Sequence, residues 1–363
     1  MHTVQVELGD RAYPVHVGAQ LLPQLPSLVA GLGAVPRVVV VSDSNVAPLY
    51  LGAVVAGLKS VIGIVDEAVI PAGETSKNVD VLTRLWDVVL DGGADRKVVV
   101  VALGGGVVGD IAGFAAATAL RGVRVVQVPT SLLAQVDSSV GGKAAINRSQ
   151  GKNLVGAFKQ PELVVADVST LATLPPRELR AGLAEAVKHG AILDADLLNL
   201  INARAPELLD AAASATIPVV ARCCELKASV VAADEREAGY RRVLNFGHTV
   251  GHAIEKLAGY GTVLHGEAVA IGMVAAAEVA QALGLADDGP GRAIRAALDA
   301  LGLPKSIPAA HAPDALIDAI AHDKKVDASS IGFVVCPAIG TSRVIDLPLR
   351  RLHEILGAIH ASS

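Results

Sequence analysis

The chain has 363 residues, a formal net charge of −5 and a pI of about 6.1; it is 52% hydrophobic but only 2% aromatic. That length accommodates two domains. The lack of a long basic run argues against nucleic acid as a partner, and three cysteines (Cys223, Cys224 and Cys336) fit neither a disulfide framework nor a cysteine-ligated zinc site.

Residues 1–18 lack the basic start and apolar stretch of a secretory signal. The most apolar region, 269–285, is interrupted by Glu278, preceded by Glu267 and rich in Ala and Gly, so it reads as a buried helix rather than a membrane span. The expectation is a soluble cytoplasmic protein that binds neither nucleic acid nor membrane.

In chain order, the alternation of Val4, Val6 and Leu8, then of Tyr13, Val15 and Val17, about a Gly9-Asp10 turn predicts a β-hairpin. β-Branched runs follow at 37–43, 68–70, 97–103, 123–128 and 163–167, with helical periods between several of them, as at 78–90 and 111–120. Fully buried strands alternating with helices predict a parallel sheet covered by helices on its faces. Beyond Leu174-Pro175-Pro176 the period is mainly helical, at 178–193, 215–233, 247–257, 267–283, 292–301 and 313–322, with a minor β run at 331–335. The predicted architecture is a Rossmann-related, parallel-sheet α/β domain over 1–175 and a mainly α-helical domain over 176–363, with a ligand cleft between them.

The segment Leu103-Gly-Gly-Gly-Val-Val-Gly-Asp110 contains Gly104-x-Gly106-x-x-Gly109 between a predicted strand and a predicted helix. In that context glycines let the backbone approach a pyrophosphate, and the N–H groups of the helix start attract it. A tight turn without a ligand is the competing reading, and the strand–helix setting favours dinucleotide binding over it. A standard Rossmann unit would carry an acid at the end of the next strand, where this chain has Val128-Pro129-Thr130. Asp43, ending an earlier strand, is the candidate ribose contact and favours NAD over NADP.

Ligand-type residues fall in three helical segments: Glu185 in 182–189, Asn245, His248 and His252 in 244–252, and His265 with Glu267 in 264–273. His248 and His252 are four apart and share a helix face. Either both bind a metal, or one does and the other touches substrate; spacing alone leaves this open, and a carboxylate and a further His would complete a site. Downstream of strand 123–128 lies the polar, glycine-rich stretch Asp137-Ser-Ser-Val-Gly-Gly-Lys143, followed by Lys152-Asn153. With Lys227, Arg241, Arg242, Lys324 and Lys325 it offers cations and amides suited to a phosphorylated, anionic substrate. Each of these alone is by default a solvated charge.

Taken together, Pro71–Lys77, Gly104–Asp110, Pro129–Ser131, Gln135–Lys143, Gly182–Lys188, Leu244–His252 and His265–Met273 resemble the 3-dehydroquinate synthases, over nearly the whole chain and in order. The resemblance implies a lyase of the shikimate pathway, in the cytoplasm and as a homodimer. Its substrate would be 3-deoxy-D-arabino-heptulosonate 7-phosphate, with NAD and zinc or cobalt as cofactors. The reaction it implies runs through transient oxidation, β-elimination of phosphate, re-reduction, ring opening and aldol closure. Carried over by motif, the metal ligands are Glu185, His248 and His265, which leaves His252 to the substrate phosphate. NAD contacts would be Asp43, Glu74, Lys77, Gly105, Gly106, Val107, Val108, Gly109, Asp110, Thr130, Ser131, Lys143, Lys152, Thr170 and Thr173. Substrate contacts would be Asp137, Lys143, Asn153, Lys188, Lys227, Arg241, Asn245, His252 and one of Lys324 and Lys325. Arg121 resembles a residue that reaches into the partner's site. The rivals are a sister cyclase acting on another sugar phosphate, a metal-dependent polyol or glycerol-phosphate dehydrogenase, and a silent NAD-binding scaffold. Lys227 with Arg241 suits a substrate carboxylate that the sister sugars lack.

Overall fold

A computed structural model describes residues 1–91, 95–259, 261–323 and 329–362. The first half contains β1 (His2–Val6), β2 (Tyr13–Gly18), α1 (Leu25–Ala30), β3 (Arg37–Asp43), α2 (Gly52–Lys59), β4 (Ile64–Ile70), α3 (Val79–Leu90), β5 (Val99–Gly104), α4 (Gly106–Thr118), β6 (Arg124–Pro129), β7 (Lys143–Arg148), β8 (Gly151–Phe158) and β9 (Leu163–Asp167). There follow α5 (Pro176–Leu193), α6 (Ala195–Ala203), α7 (Ala205–Leu209), α8 (Ala213–Ala233), α9 (His248–Ala258), α10 (His265–Ala282), α11 (Gly289–Ala300), α12 (Pro313–Asp323), β10 (Ser330–Val335), β11 (Arg343–Pro348) and α13 (Leu349–Ser362). Two compact units result, Met1–Leu174 with Thr216–Arg236, and Pro175–Ala215 with Glu237–Ser363.

The first unit is built on a seven-stranded sheet in the order β1-β2-β9-β6-β5-β3-β4. Its neighbours run parallel except β1 and β2. The unbroken valine runs follow from burial on both faces. Val39, Val41, Val100 and Val125 point at Leu82, Leu85, Ile111 and Ala115 of α3 and α4. Val38, Val40, Val99, Val101 and Val126 point the other way, at Leu25, Val29, Val54 and Leu58 of α1 and α2. Burying one such side chain completely contributes roughly 1.5–3 kcal/mol. Asn78 starts α3 as predicted, its side chain accepting from the Val81 amide at 2.9 Å.

Several local features differ from the sequence reading, β4 among them, which spans Ile64–Ile70 rather than 68–70. The first hairpin turns through a short 3-10 helix, Gly9–Arg11. The helix expected at 111–120 begins five residues earlier, at Gly106, because the glycine loop is itself the helix start. It ends at Thr118, since Leu120 and Arg121 take φ of +51° and +66°. β7 and β8 form an antiparallel hairpin where only a polar glycine-rich stretch was legible. β8 exposes 153–156 consecutively, so it shows no alternation to read.

A division at residue 175 alone also omits Thr216–Arg236, which groups with the first unit. Contacts explain it: Arg11 forks onto Glu235, with one N–H···O of 2.7 Å, Lys227 pairs with Asp137, and the Cys224 thiol meets the Gln135 carbonyl at 3.3 Å. Helical period predicts that α8 forms but not which neighbours it buries against.

In the second unit α10 packs on α5 and α9. Two glycines permit this close approach. A Cβ at Gly266 would lie 1.9 Å from the Ala181 carbonyl oxygen, and one at Gly272 would lie 1.9 Å from that of Gly247. The unit also holds the β10–β11 hairpin and the terminal helix α13. Among the described residues no helix is long and apolar enough to cross a membrane.

Candidate metal centre and nucleotide loop

The close approach of α5, α9 and α10 gathers one ligand-type side chain from each. Glu185 lies two turns into α5, His248 opens α9 and His265 opens α10. His248 Nε2 is 3.6 Å and His265 Nε2 is 3.3 Å from the same oxygen, Glu185 Oε1. These three donors lie within 4.8 Å of one another. One carboxylate and two imidazoles, leaving positions for substrate, is a donor set of catalytic zinc or cobalt. A second group in the same cluster, His252, Glu255 and His265, also satisfies the distance. The three imidazole rings stand 5.2–5.8 Å apart between centroids. Ring geometry separates the two sets. His265 Nδ1 is hydrogen-bonded to Glu255 Oε2 at 3.0 Å, and His248 Nδ1 to the Phe246 carbonyl at 3.0 Å. Both rings therefore turn Nε2 toward Glu185, which favours the first set.

The charges suit a divalent cation. Burial opposes protonation of His265, but hydrogen bonds and charge from Glu185 and Glu255 overcome it and push the imidazole up to about 10. Burial, helped by Lys188 and the other two imidazoles, outweighs Glu185 at His248 and pushes it down to about 3. At neutral pH the ion-free cluster thus holds one imidazolium and one neutral imidazole. The proton sits on the group whose lone pair a cation would otherwise take.

Other predicted residues of this unit cluster nearby in the chain. Lys188 Nζ meets Glu185 Oε2 at 2.5 Å, and both side chains are 1% exposed. His252 is exposed, one turn along α9 from His248. Arg241 is buried on the short helix Tyr240–Asn245, and Asn245 donates to Glu237 at 2.8 Å. Lys324 and Lys325 lie outside the described residues. Sequence reading passed over Glu255, although His248, His252 and Glu255 fall at i, i+4 and i+7 of one helix face. It also passed over Glu237, which carries no comparable signal.

In the first unit the glycine loop joins β5 to α4. None of Gly104, Gly106 and Gly109 has a positive φ. They are needed for proximity instead: a Cβ at Gly104 would meet Val108 at 2.6 Å, at Gly106 the Ser138 hydroxyl at 3.0 Å, and at Gly109 the Gln127 oxygen at 2.8 Å. No side chain caps α4, and Gly109 makes its first amide bond back to Gly105 at 3.0 Å. The preceding amides are the unfilled donors of a helix start, an anion cradle that a Cβ at Gly105 or Gly106 would crowd. Ser131 borders it 3.3 Å from the Gly105 Cβ position, following buried Thr130 at the end of β6.

Val107, Val108 and Asp110 lie in the first turns of α4. Asp110 anchors a polar network. Lys77 Nζ, 4% exposed, lies 2.6 Å from Asp110 Oδ2 and 3.5 Å from Glu74 Oε1, and donates to the Asn153 side chain. Asn147 donates to Glu74 at 2.7 Å and accepts from the Asn153 amide at 2.9 Å. The network ties the hairpin β7–β8 to α4 and fixes Asn153 at φ +56°. Burial works against the charge on both partners, raising Asp110 and opposing Lys77. The carboxylates of Asp110 and Glu74 overcome it at Lys77, which stays above the usual lysine range. With the 2.6 Å contact, the pair is ionic. A Lys77→Met variant is expected to unfold about 3 kcal/mol more easily in urea. Adding Asp110→Asn should return part of the loss, and an unchanged midpoint in the single variant would contradict the pairing.

Of the remaining predicted residues, Asp43, Thr170 and Thr173 lie at or after the carboxyl ends of strands. Asp43, ending β3, turns Oδ1 to the amides of Asn45 and Val46 at 2.8 and 3.0 Å. Thr170 donates to the Asp167 carbonyl at 2.8 Å and accepts from Gln135 at 3.3 Å, while Thr173 meets the Tyr50 hydroxyl at 2.6 Å. Both threonines thus brace the turn after β9. Lys143 opens β7 and is exposed, Lys152 is half-buried at the start of β8, and Arg121 is exposed. Asp137 stands on the helical turn Ala134–Ser138, ion-paired with buried Lys227 of α8.

Comparison with known proteins places this arrangement. Residues 67–181 match the model of the 3-dehydroquinate synthase N-terminal family and residues 182–326 that of its C-terminal family. A 3-dehydroquinate synthase of Desulforamulus reducens is 48% identical over 340 residues, covering 94% of this chain and 95% of its own. A crystal structure of 2-deoxy-scyllo-inosose synthase with carbaglucose-6-phosphate, NAD⁺ and Co²⁺ superposes with a TM-score of 0.90 at 28% identity, covering 98% of this chain and 100% of its own. ValA, the 2-epi-5-epi-valiolone synthase of Streptomyces hygroscopicus, with NAD⁺ and Zn²⁺ bound, gives 0.87 at 27% identity and covers 100% of both chains. By matched family over most of its length and by identity to curated relatives, this chain belongs to the 3-dehydroquinate synthase family.

Proposed function

We infer that this chain converts 3-deoxy-D-arabino-heptulosonate 7-phosphate into 3-dehydroquinate and phosphate, using NAD⁺ and a divalent zinc or cobalt ion. The carrying observation is the convergence of Glu185, His248 and His265 on one point in a chain of this family. When bound, the ion supplies a Lewis acid for a substrate hydroxyl and NAD⁺ a transient hydride acceptor, so the overall reaction has no net redox change.

The chain's own groups divide the remaining work. Glu185, His248 and His265 hold the ion, and Lys188 orients the Glu185 carboxylate through its 2.5 Å contact. The backbone amides from Gly105 to Asp110, with Thr130 and Ser131, take the pyrophosphate side of NAD. Asp43, Glu74, Lys77, Lys143, Lys152, Thr170 and Thr173 complete its contacts. Asp137, held by Lys227, aligns a substrate hydroxyl. Lys143, Asn153 and His252 receive the phosphate and hold it as it leaves. Arg241 and Lys227 are the cations for the substrate carboxylate, with Asn245 beside Arg241 in sequence. The same reading gives a cytoplasmic homodimer in which Arg121 reaches the partner's site.

The test supplies purified protein with NAD⁺, Co²⁺ or Zn²⁺ and each candidate sugar phosphate, following inorganic phosphate and absorbance of NADH. Phosphate release from the heptulosonate without NADH build-up is the expected result. Release only from glucose 6-phosphate or sedoheptulose 7-phosphate would indicate a sister cyclase, and accumulating NADH a dehydrogenase.

The charge state of the cluster gives a pH dependence. Ion-free His265 keeps its proton until about pH 10, and the ion must displace it. Affinity for Zn²⁺ should therefore fall about tenfold per pH unit lowered from 9 to 7, with about one proton released per ion. His248, already neutral, adds nothing over that range. In the ion-free protein the raised His265 value works in the opposite sense. Its stabilisation is complete below about 6.5 and is lost as pH rises through about 10. Calorimetric titrations in buffers of different ionisation enthalpy measure the released proton; none would contradict the assignment.

A further inference from the structure

Among the described residues, Glu255 is a carboxylate that contacts a candidate ligand ring and that the motif assignment does not use. It lies on α9, seven residues after His248, and is 5% exposed. Its Oε2 accepts from His265 Nδ1 at 3.0 Å, while the opposite ring nitrogen, Nε2, stands 3.3 Å from Glu185 Oε1. The ring is thus held between two carboxylates, one through each nitrogen. His248 has a different second partner: its Nδ1 donates to the neutral Phe246 carbonyl at 3.0 Å.

We propose that Glu255 is a positioning residue for the metal centre: by accepting the Nδ1–H of His265 it fixes the ring's tautomer and rotation so that the Nε2 lone pair faces the ion. This rests on the assignment of Glu185, His248 and His265 as ligands. The physical reason is general. A ligating imidazole has one nitrogen for the ion, and a carboxylate on the other nitrogen both selects the tautomer and makes the ligand more basic. The two rings then serve unequally, with His265 the stronger donor of the pair because its second partner is charged. The covalent order of the helices supports the role. α9 carries Glu255 and His248 on one face, so one rigid element sets both a ligand and the orientation of a ligand on α10.

The experiment uses the full-length protein loaded with Co²⁺, whose visible d–d absorption reports the coordination sphere independently of turnover. Apparent affinity is measured by chelator competition for the wild type, Glu255→Gln, Glu255→Ala and Glu185→Ala. Far-ultraviolet circular dichroism establishes that each variant is folded. The wild type should show the d–d bands and Glu185→Ala should lose them. Glu255→Ala should bind Co²⁺ about 10–100-fold more weakly with shifted bands. Glu255→Gln, which retains an oxygen acceptor, should fall between Glu255→Ala and wild type. Wild-type affinity and spectrum in Glu255→Ala would overturn the positioning role while leaving the ligand set intact. Loss of all Co²⁺ binding in Glu255→Ala with retention in Glu185→Ala would overturn both, making Glu255 a ligand alongside His252 and His265.

Discussion

A Gly272→Ala substitution is expected to empty the metal centre although residue 272 touches no ligand atom. The added Cβ would lie 1.9 Å from the Gly247 carbonyl oxygen, 2.8 Å from its carbon and 3.0 Å from the Gly251 nitrogen. All three are backbone atoms, and no rotamer change relieves them. Gly247 is itself constrained, at φ +78° directly before His248. α10 must therefore move away from α9 by the better part of an ångström or more, carrying His265 away from His248. Overpacking of ordinary side chains costs about 1–3 kcal/mol, and a clash with backbone belongs at the upper end of that range or beyond it. A misplacement of about 1 Å in a catalytic constellation is worth about a hundredfold in rate. Gly266→Ala should act in the same way on the α5 side, where its Cβ would meet the Ala181 carbonyl oxygen at 1.9 Å, one turn before Glu185. Gly357→Ala in α13, with nothing within 4 Å of the added carbon, is the control and should stabilise by up to about 1 kcal/mol. Bound metal per chain and urea midpoints measure all three; full metal occupancy in Gly272→Ala would contradict the packing argument.

Glu185→Gln should be the most damaging single change to activity. It removes the only carboxylate of the favoured ligand set and takes the counter-charge from Lys188, whose side chain is 1% exposed. Breaking one partner of a buried pair costs about 3–5 kcal/mol. Loss of a direct ligand should exceed the ten- to hundredfold effect of an outer partner on metal affinity. The double variant Glu185→Gln/Lys188→Met separates the two effects. Stability should recover in it, because no buried ammonium is left without Glu185's charge, whereas metal binding and phosphate release should stay lost. Recovery of activity along with stability would mean that Glu185 supports the fold and not the ion.

Much of this was legible in the residues because it follows from periods and local sterics. The valine runs at 37–43 and 97–103 had to be doubly covered strands, and Gly104-x-Gly106-x-x-Gly109 behind one of them had to be a close-approach helix start. The helical spacing of His248 and His252 marked a chemical face but could not say which ring binds an ion. Family resemblance makes that choice; in the structure His248 Nε2 lies 3.6 Å from Glu185 Oε1, while His252 is exposed. What stayed hidden depends on partners distant in sequence. Lys77 meets Asp110 across 33 residues, and Lys227 meets Asp137 across 90. Gly266 and Gly272 looked like ordinary small residues of an alanine-rich helix, yet they set the distance at which Glu185, His248 and His265 can meet. Membership of α8 in the first unit was likewise a matter of contacts, which no periodicity encodes.

The metal triad is tested most directly by an anomalous difference map from crystals of the protein grown with Co²⁺ and recorded at the cobalt edge. A single strong peak about 2.0–2.2 Å from a Glu185 oxygen, His248 Nε2 and His265 Nε2 is the expected result. A peak coordinated by His252, Glu255 and His265 Nδ1, or none within reach of Glu185, would contradict it.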